Sequence, residues 1–361
     1  MIYVLSGHWQ FIMFIKNVTV DLIERRFDKP VGGSTVTGVD IIVVTLTDKD
    51  GLTGLGFSYV IGGGGGLVAK LTQTFADRFI ANKSIIDPRA KWVEIQKSFN
   101  RTGDGPNILA LAALDVGIWD LKANIEGVPL NISLGGKSGE VPVYASSNFN
   151  PNDTFEEAIE KSMHHIGNGY TAIKPRVNAT EKDGEFLEAI RLAIGDDIDL
   201  MADANEKGDF ESATRLLELA SALDMKFIEE PLPAANVISY RRLSQLNNIA
   251  PIALGEHLQG QDRFLTVMED KITSFIQPDL AMAGGITPCL EISIVAAERN
   301  IILAPHFLPG LFIHLNGTFD GELLLEDFPL IEPAFEGWPK VDNKGKMSTP
   351  TVSGHGLTLK T

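Results

Sequence analysis

The chain has 361 residues, 44% hydrophobic and 22% charged, which is the composition of a folded globular protein rather than a disordered one. With 31 basic and 47 acidic residues the formal net charge is −16, which excludes an unaided binder of nucleic acid or of an anionic membrane surface. A single cysteine, Cys289, excludes an intrachain disulfide framework and a multi-cysteine zinc site.

The N-terminal third of the chain has the pattern of an antiparallel sheet followed by helices. Residues 1–12 form an apolar extension that lacks the cationic start and the cleavage site of a signal peptide. Alternating apolar residues and the turn at 48–51 predict a β-hairpin. Five glycines at 62–66 lack the strand and helix that frame a dinucleotide loop, so we interpret them as a flap. Residues 67–122 have helical periodicity, and no stretch of the chain is long and apolar enough to span a membrane.

The second half of the chain alternates short apolar runs with amphipathic helical segments. We predict eight strands, at 141–146, 171–176, 198–202, 226–229, 252–255, 274–277, 301–304 and 322–325. Eight strands alternating with helices over about 190 residues favour a parallel (β/α)8 barrel over an open doubly wound sheet. The fold class is therefore α/β, with an α+β region before the barrel and short strands and turns after it.

Acidic residues end three consecutive predicted strands. Asp203, Glu229 and Glu256 follow strands three, four and five, at intervals of 26 and 27 residues. Because the carboxyl ends of barrel strands meet at one mouth, we expect these three carboxylates to lie together. Without a cation they would repel and raise one another's pKa values. All-oxygen ligands select a hard ion, so the sequence predicts one Mg²⁺ held by these side chains.

An aspartate and a histidine end two further predicted strands. Asp279 and His306 are 27 residues apart, one strand-helix-strand step, so we expect the carboxylate to orient the imidazole and raise its basicity. This pair predicts a dyad for proton transfer. Asn205, after strand three, and His257, after strand five, are weaker candidates for contact with substrate, and His257 alternatively only caps its loop.

The order and spacing of these motifs resemble the enolase superfamily, in its mandelate racemase branch, over nearly the whole chain. The motifs that carry the resemblance are Asp203-Ala204-Asn205, Glu229-Glu230-Pro231, Gly255-Glu256, Pro278-Asp279 with Gly284-Gly285, His306, Glu326 and the helix around 112–120. The resemblance implies a capping domain built from residues 13–138 and the C-terminal segment 331–361, and a barrel at 139–330 that carries the chemistry. It also implies a Mg²⁺ ion that stabilises the enediolate formed when the proton alpha to a substrate carboxylate is removed.

Two charged residues after the second predicted strand mark a departure from the family pattern. The family commonly has two lysines there, and the second acts as a base on the face opposite the histidine. Lys174 keeps the first position, beside the substrate carboxylate, but the second position is Arg176. Arginine stays protonated in proteins, so it suits a clamp for a carboxylate or a leaving oxygen better than a base. Glu326, after the eighth strand, is expected to have a raised pKa and to donate a hydrogen bond to the developing oxyanion.

These residues favour one reaction and leave alternatives open. With His306 as the one base, an enzyme can remove the alpha proton and then release the beta-hydroxyl as water. We therefore favour an acid-sugar dehydratase, a hydro-lyase that gives a 2-keto-3-deoxy acid. A racemase, epimerase or cycloisomerase is the alternative, with Lys174 or a flap residue supplying the second proton transfer. A catalytically silent binding protein is a remote alternative, because neither the metal ligands nor the dyad are lost.

Substrate choice is expected to come from the capping domain. The turn at 28–34 and the flap at 62–66 are polar, which suits a hydroxylated acid better than an aromatic one. We expect a small-molecule carboxylate as substrate, no nucleic-acid or membrane partner, and a homo-oligomeric, cytoplasmic enzyme.

Overall fold

The computed structural model describes residues 3–5, 8–10, 12–31 and 36–360. Within the predicted N-terminal extension, β1 (Tyr3–Leu5) and β2 (His8–Gln10) pair as a short antiparallel ladder. Part of the turn at 28–34, from Gly32 onwards, lies outside the described residues.

A four-stranded antiparallel sheet, in the order β5-β4-β3-β6, follows. Its strands are β3 (Met13–Arg26), β4 (Gly38–Asp48), β5 (Thr53–Ile61) and β6 (Lys83–Ile85). The predicted hairpin joins β4 to β5, and the carboxylate of Asp48 accepts hydrogen bonds from the backbone N–H groups of Asp50 and Leu52 at the turn. A side chain that caps its own turn in this way fixes the register of the hairpin.

Helices of the N-terminal region pack on one face of this sheet. They are α1 (Gly65–Phe75), continued by a π-helical turn (Ala76–Ile80), α2 (Pro88–Gln96), α3 (Gly105–Glu126) and α4 (Leu130–Ser133). The helical periodicity of 67–122 is therefore confirmed. The prediction of a five-glycine flap is wrong in its second half, because Gly65 and Gly66 begin α1. The N–H of Gly65 donates to Asp40 at 2.9 Å, and an added Cβ would lie 2.3 Å from the Asp40 Cβ.

The barrel strands are all parallel, in the order β13-β12-β11-β10-β9-β8-β7-β14. They are β7 (Glu140–Ala145), β8 (Ala172–Ile173), β9 (Asp199–Asp203), β10 (Phe227–Glu229), β11 (Ile252–Leu254), β12 (Phe275–Ile276), β13 (Ile302–Leu303) and β14 (Leu325–Asp327). A parallel bridge between Leu303 and Leu323 closes the circle between β13 and the residues leading into β14. The α/β barrel class is confirmed. The eighth strand lies closer to the C-terminus than predicted, because Leu323 pairs only in an isolated bridge and the continuous strand β14 begins after it.

Helices cover the outside of the barrel and side chains fill its inside. The helices are α5 (Phe155–Gly167), α6 (Lys182–Ile194), α7 (Phe210–Ala222), α8 (Val237–Leu243), α9 (Gln261–Glu269), α10 (Leu280–Ala283), α11 (Ile286–Glu298) and α12 (Pro309–Phe312). Large and small residues from different strands, among them Tyr144, Phe227 and Phe275, form a buried plug. The barrel is therefore a packed core, and its chemistry has to occur at the mouth. Across the described residues, every helix falls short of the length and apolarity needed to cross a membrane.

The C-terminal segment contacts both halves of the molecule. Its strand β15 (Phe335–Glu336) pairs with β17 (Thr358–Leu359), while β16 (Lys346–Ser348) pairs antiparallel with barrel strand β7. His355 Nε2 lies 2.7 Å from the carbonyl oxygen of Leu55 in the capping region. The domain boundaries themselves remain a prediction.

The Gly284-Gly285 pair marks a joint between α3 and the barrel. Trp92 Nε1 donates to the carbonyl of Gly284 at 2.7 Å. A Cβ on Gly285 would lie 2.5 Å from a carboxylate oxygen of Asp115, which accepts hydrogen bonds from the N–H and the hydroxyl of Thr287. Both glycines have positive φ, so close approach and backbone conformation together explain the motif.

Candidate active site

The predicted site residues gather at the carboxyl ends of the barrel strands. Asp203 and Glu229 are the last residues of β9 and β10, and Glu256 lies two residues beyond β11. Lys174 follows β8 directly, and Glu326 lies within β14. Their contacts with one another, described next, place them around one mouth.

Each predicted metal ligand contacts a cationic side chain in this structure. Lys174 Nζ bonds to Glu229 and also lies 2.7 Å from Glu326 Oε1. Arg176 Nη1 lies 3.0 Å from Asp203 Oδ2. On the third ligand, Glu256 Oε2 lies 2.9 Å from Nε2 of His306. The carboxylates are thus balanced by three side chains that were themselves predicted to take part in the chemistry.

Burial dominates the electrostatics of this mouth. It raises the pKa of Asp203, and it raises the pKa of Glu229 to about 8 against the opposing charge of Lys174. Burial also raises the pKa of Glu256, but the charge of His306 and its hydrogen bond outweigh this and lower that pKa below its usual range. Carboxyl groups that are held so far from water require a strong cation beside them to remain ionised together.

The donor set at this mouth fits a hard cation. Oε1 of Glu229 is fully buried and has no hydrogen-bond partner among the described residues, while Oε2 accepts from Gln277 at 2.7 Å. An orphaned carboxylate oxygen of this kind is satisfied by a metal ion of the Mg²⁺ type. Asp203, Glu229 and Glu256 are not among the described residues that bring three ligand atoms within 4.8 Å of one another, and each of them contacts a cationic side chain. Of the described residues, Glu206, Glu230 and His257 bring three ligand atoms within 4.8 Å of one another.

The predicted dyad is present and extends into the capping region. His306 Nδ1 lies 2.9 Å from Asp279 Oδ2. The same oxygen accepts a hydrogen bond from the hydroxyl of Tyr59, on β5, 220 residues earlier in the chain. Oδ1 of Asp279 accepts from the N–H of Met282 at 2.9 Å, so both carboxylate oxygens are held. A fully bonded carboxylate fixes the orientation and tautomer of the imidazole beside it.

The guanidinium of Arg176 is hydrogen-bonded to two residues, one at the end of β9 and one just after it. Its Nη1 donates to Asn205 Oδ1 at 2.5 Å as well as to Asp203, and its guanidinium lies 5.5 Å from the ring centre of Phe328. Burial lowers the pKa of Arg176, but the charges of Asp203 and the other carboxylates more than compensate and raise it. Arg176 therefore remains a cation, and a base is absent from this position.

The expectation of a raised pKa for Glu326 is wrong. Burial raises the pKa, but the charges of Lys174 and His306 and the hydrogen bonds to this carboxyl lower it overall. Glu326 Oε2 also accepts a hydrogen bond from the N–H of Phe307 at 2.9 Å. Glu326 therefore acts as an acceptor and counter-ion of Lys174 in this structure rather than as a hydrogen-bond donor.

The imidazole of His257 contacts two carboxylates, those of Glu230 and Glu256. Its Nδ1 lies 2.6 Å from Glu230 Oε2 and 3.3 Å from Glu256 Oε1, and its side chain is 47% exposed. Burial lowers its pKa, but the hydrogen bond to Glu230 and the charge of Glu256 raise it to about 9. His257 lines the cavity above the mouth, as does Asn205.

Several residues with strained backbone conformations lie at the same mouth. Non-glycine residues with positive φ occur after β9, after β10 and after β13, namely Asn205, Glu206, Glu230, Phe307 and Leu308. Such conformations cost free energy and persist where the surrounding structure holds them in place, which is typical of functional sites.

A cavity of about 530 Å³ lies over the mouth. Its charged lining comes from the barrel and includes Arg176, Glu256, Asp279 and His306. Apolar side chains of the capping region face them, namely Val31, Val36, Val60 and Ile61, with Tyr59 beside them. The expectation of a polar capping wall is therefore wrong for the described residues. This lining comes from Val31 within the predicted turn, from Val36 just after it and from β5, and none of the glycines at 62–66 is part of it.

Two residues of the site were missed by sequence reasoning. Gln277 lies one residue beyond β12, so the strand-end rule that found Asp279 also applies to it. Tyr59 carries no such signal, because its role depends on where β5 packs against the barrel.

Two family models match the chain. The first, described as mandelate racemase / muconate lactonizing enzyme, N-terminal domain, matches residues 18–135. The second, described as enolase C-terminal domain-like, matches residues 156–361. Together they span both the capping region and the barrel.

Individual relatives match over most of their length. An L-talarate/galactarate dehydratase of Salmonella typhimurium is 30% identical over 90% of this chain and 81% of its own. A 3,6-anhydro-alpha-L-galactonate cycloisomerase of Streptomyces coelicolor is 26% identical over 89% of each chain. A solved structure of the L-talarate/galactarate dehydratase from Salmonella typhimurium LT2, liganded with Mg and L-lyxarohydroxamate, superposes with a TM-score of 0.89 at 28% identity, covering 97% of this chain and 91% of that one.

Proposed function

The chain belongs to the mandelate racemase / muconate lactonizing enzyme family of the enolase superfamily, and from this premise we propose that it dehydrates an acid sugar to a 2-keto-3-deoxy acid. It is an enzyme of the dehydratase type, and its cofactor is Mg²⁺. The observation that carries the finer proposal is Arg176, which is bonded to Asp203 and Asn205 where the family commonly places a second base.

Asp203, Glu229 and Glu256 are the residues that would hold the cofactor. The orphaned Oε1 of Glu229 supports this choice. Bound Mg²⁺ supplies positive charge for the anion that forms when the proton alpha to a carboxylate is lost. Lys174 adds a fixed positive charge nearby, because its ammonium group is buried between Glu229 and Glu326. Burial lowers the pKa of Lys174, but these carboxylates raise it well above its ordinary value, so it acts electrostatically and not as a base.

His306 carries both proton transfers in this proposal. Its Nε2 takes the proton from C2 of the substrate, while Asp279 holds Nδ1. The electron pair left on C2 forms a C2–C3 double bond as the bond from C3 to its hydroxyl breaks. The imidazolium returns its proton to the leaving oxygen, which departs as water. The resulting enol then takes a proton at C3 and loses the proton of its C2 hydroxyl, which gives the 2-keto acid.

Arg176 restricts the chemistry to one face. Because a guanidinium does not give up its proton in proteins, Arg176 cannot accept the alpha proton or return one to C2. It can bind a carboxylate or hydroxyl of the substrate through the donors that Asp203 and Asn205 do not occupy.

An isomerase is the second candidate, and one observation favours it. A cycloisomerase is among the relatives, at 26% identity over 89% of this chain. A cycloisomerase, racemase or epimerase would use the same cofactor and dyad. It would need a second proton donor, for which Tyr59 and Lys207 line the cavity. A catalytically silent protein is set aside, because the proposed metal ligands and the dyad are all retained. The homo-oligomeric state and the cytoplasmic location remain predictions.

Proton NMR in deuterated water with Mg²⁺ and a panel of acid sugars tests this proposal. We expect loss of the C2 proton signal, a new C3 methylene signal in the product, and unchanged configuration at C2 in recovered substrate. Arg176→Lys is the companion variant. It should lose turnover with the guanidinium contacts and gain slow exchange at C2, because a lysine can take a proton. Inversion at C2 by the wild-type enzyme without loss of water would replace the dehydratase with a racemase or epimerase.

A further inference from the structure

We propose that the part of the cavity beneath the capping region is an apolar subsite. It selects acid sugars that carry a single carboxylate and end in an uncharged, apolar group, such as the terminal methyl of a deoxy sugar acid. The inference rests on the proposed function, because it concerns the end of the substrate opposite the reacting carboxylate.

The wall formed by the capping region begins at the dyad and runs away from it. Tyr59 donates its hydrogen bond to Asp279, and Ile61 lies two residues farther along β5, about 7 Å away at the usual rise of a strand. Side chains alternate along a strand, so Ile61 shares the face of Tyr59. Val31 and Val36, which line the same cavity, are joined by a hydrogen bond from the Val31 N–H to the Val36 carbonyl.

The opposite wall contributes apolar side chains as well. Phe328 and Leu330 follow β14, and Met282 belongs to α10. The ring of Phe307 lies 4.9 Å from Tyr59 and 6.5 Å from Phe328, which links the two walls into one aromatic cluster. The substrate therefore passes from charged groups at its carboxylate to hydrocarbon at its far end.

The basic groups that line the cavity, Arg176, Lys207, His257 and His306, all belong to the barrel side and not to the capping region. Arg176 bonds to Asp203 and Asn205, and His257 bonds to Glu230. Lys207 Nζ lies 3.1 Å from Asn178 Oδ1. The capping lining holds no Lys or Arg among its described residues. A second carboxylate at the far end would therefore lose its water without gaining a cation.

A matched series of acid sugars tests the subsite. For one sugar configuration that is turned over, three acids are compared that differ only at the terminal carbon: a methyl, a hydroxymethyl and a carboxylate. We expect kcat/KM to be highest for the methyl acid, about 10-fold lower for the hydroxymethyl acid, and at least about 100-fold lower for the diacid. Keto-acid formation is the readout for all three.

The variant Ile61→Arg sharpens the test, because it adds a cation to the capping wall at a side chain that is 41% exposed. It should raise kcat/KM for the diacid and lower it for the methyl acid. Leu52→Arg is the matched control, since Leu52 is 44% exposed at the hairpin turn and does not line the cavity. The control should leave the order of the three acids unchanged.

The outcomes separate this inference from the proposed function. If no acid sugar yields a keto acid, the dehydratase proposal fails. If acid sugars are dehydrated but the wild type prefers the diacid or the hydroxymethyl acid, the apolar subsite is overturned and the dehydratase stands. If Ile61→Arg is folded and leaves the order unchanged, the capping wall does not contact the far end and the subsite is equally overturned.

Discussion

The mouth of the barrel and the wall of the capping region line one cavity, but the mouth is built from charged side chains and the wall from apolar ones. At the mouth, the side chains of Lys174, Glu229 and Glu326 are at most 2% exposed and are held by opposite charges. At the capping wall, Ile61 presents an apolar side chain at the end of the edge strand β5 and remains 41% exposed.

We expect this difference to separate two roles, with the reaction at the mouth and substrate selection at the capping wall. Buried, mutually paired charges are costly to rearrange, so the mouth is suited to one fixed chemistry. An apolar residue on a strand or a turn can be replaced with little loss of stability, because its replacement leaves no buried charge without a partner. We therefore expect substitutions at the mouth to affect the reaction itself, and substitutions at the capping wall to affect which substrate is accepted.

Glu229→Gln is the change at the mouth with the largest expected effect. It removes one of three ligand charges and the orphaned carboxylate oxygen that fits the cation. Because even indirect partners of a metal site affect affinity by about 10- to 100-fold, we expect Mg²⁺ affinity and kcat/KM to fall by at least about 100-fold. Calorimetric titration with Mg²⁺ and steady-state kinetics measure the two effects.

Glu230→Gln is the matched control, because Glu230 is the adjacent buried carboxylate but bonds to His257. It should weaken Mg²⁺ binding less than Glu229→Gln does. If Glu230→Gln abolishes Mg²⁺ binding and Glu229→Gln does not, the cation belongs to the neighbouring group of Glu206, Glu230 and His257 instead.

Tyr59→Phe tests a hydrogen bond by which the capping region contacts the proposed dyad. The variant keeps the ring but removes the hydrogen bond to Asp279, so the imidazole of His306 is held less firmly. A hydrogen bond to a charged group is worth about 1.5–3 kcal/mol, and we expect kcat to fall about 10-fold or more. Deuterium exchange at C2 should fall in proportion, since the same proton transfer is affected.

Tyr170→Phe is the control for that variant. Tyr170 donates an equivalent hydrogen bond to Asp327 but does not line the cavity, so its removal should leave kcat near the wild-type value. Equal losses of kcat in both variants would show a general loss of stability rather than a positioning role for Tyr59.

Asp115→Asn is expected to have the smallest effect, and it tests the joint between α3 and the barrel. Burial raises the pKa of Asp115 to about 7, against about 3.9 in an unfolded chain. The folded state therefore holds this proton more tightly, and the wild type loses stability as the pH rises from about 4 to about 7. Asparagine cannot ionise, so the variant should be slightly less stable at pH 5 and at least as stable at pH 8.

Thermal unfolding midpoints of both proteins at several pH values measure this effect. Asp183→Asn is the control, because its carboxylate accepts backbone hydrogen bonds within the barrel and away from the joint. A difference between wild type and Asp115→Asn that stays constant from pH 5 to pH 8 would contradict an uncharged Asp115.

The two regions also differ in how far the sequence predicts them. The barrel and its charged residues follow from local patterns, because Asp203, Glu229 and His306 each come after a short apolar run. The charge state of Glu326 does not follow, since it depends on Lys174, which approaches from another strand. Strand ends differ from the prediction by up to three residues, as in β8, where the continuous strand ends at Ile173 and Arg176 pairs with Asp203 in an isolated bridge.

The capping wall was not predicted because no local pattern encodes it. Val31 and Val36 flank a polar turn, and their place in the cavity depends on packing against elements hundreds of residues away. Tyr59 is likewise an ordinary strand residue until the barrel brings Asp279 to it. The candidate catalytic residues at the mouth were therefore visible in the sequence, while the apolar lining from the capping region required the structure.

The exchange of the C2 proton in His306→Asn tests most directly whether one residue at the mouth performs the chemistry. The variant is incubated in deuterated water with Mg²⁺ and an acid sugar that the wild type dehydrates, and the C2 signal is followed by proton NMR. We expect neither exchange nor turnover, with Mg²⁺ binding retained, because the proposal assigns removal of this proton to His306 alone. Exchange at the wild-type rate would contradict the account and would make Lys174 the base.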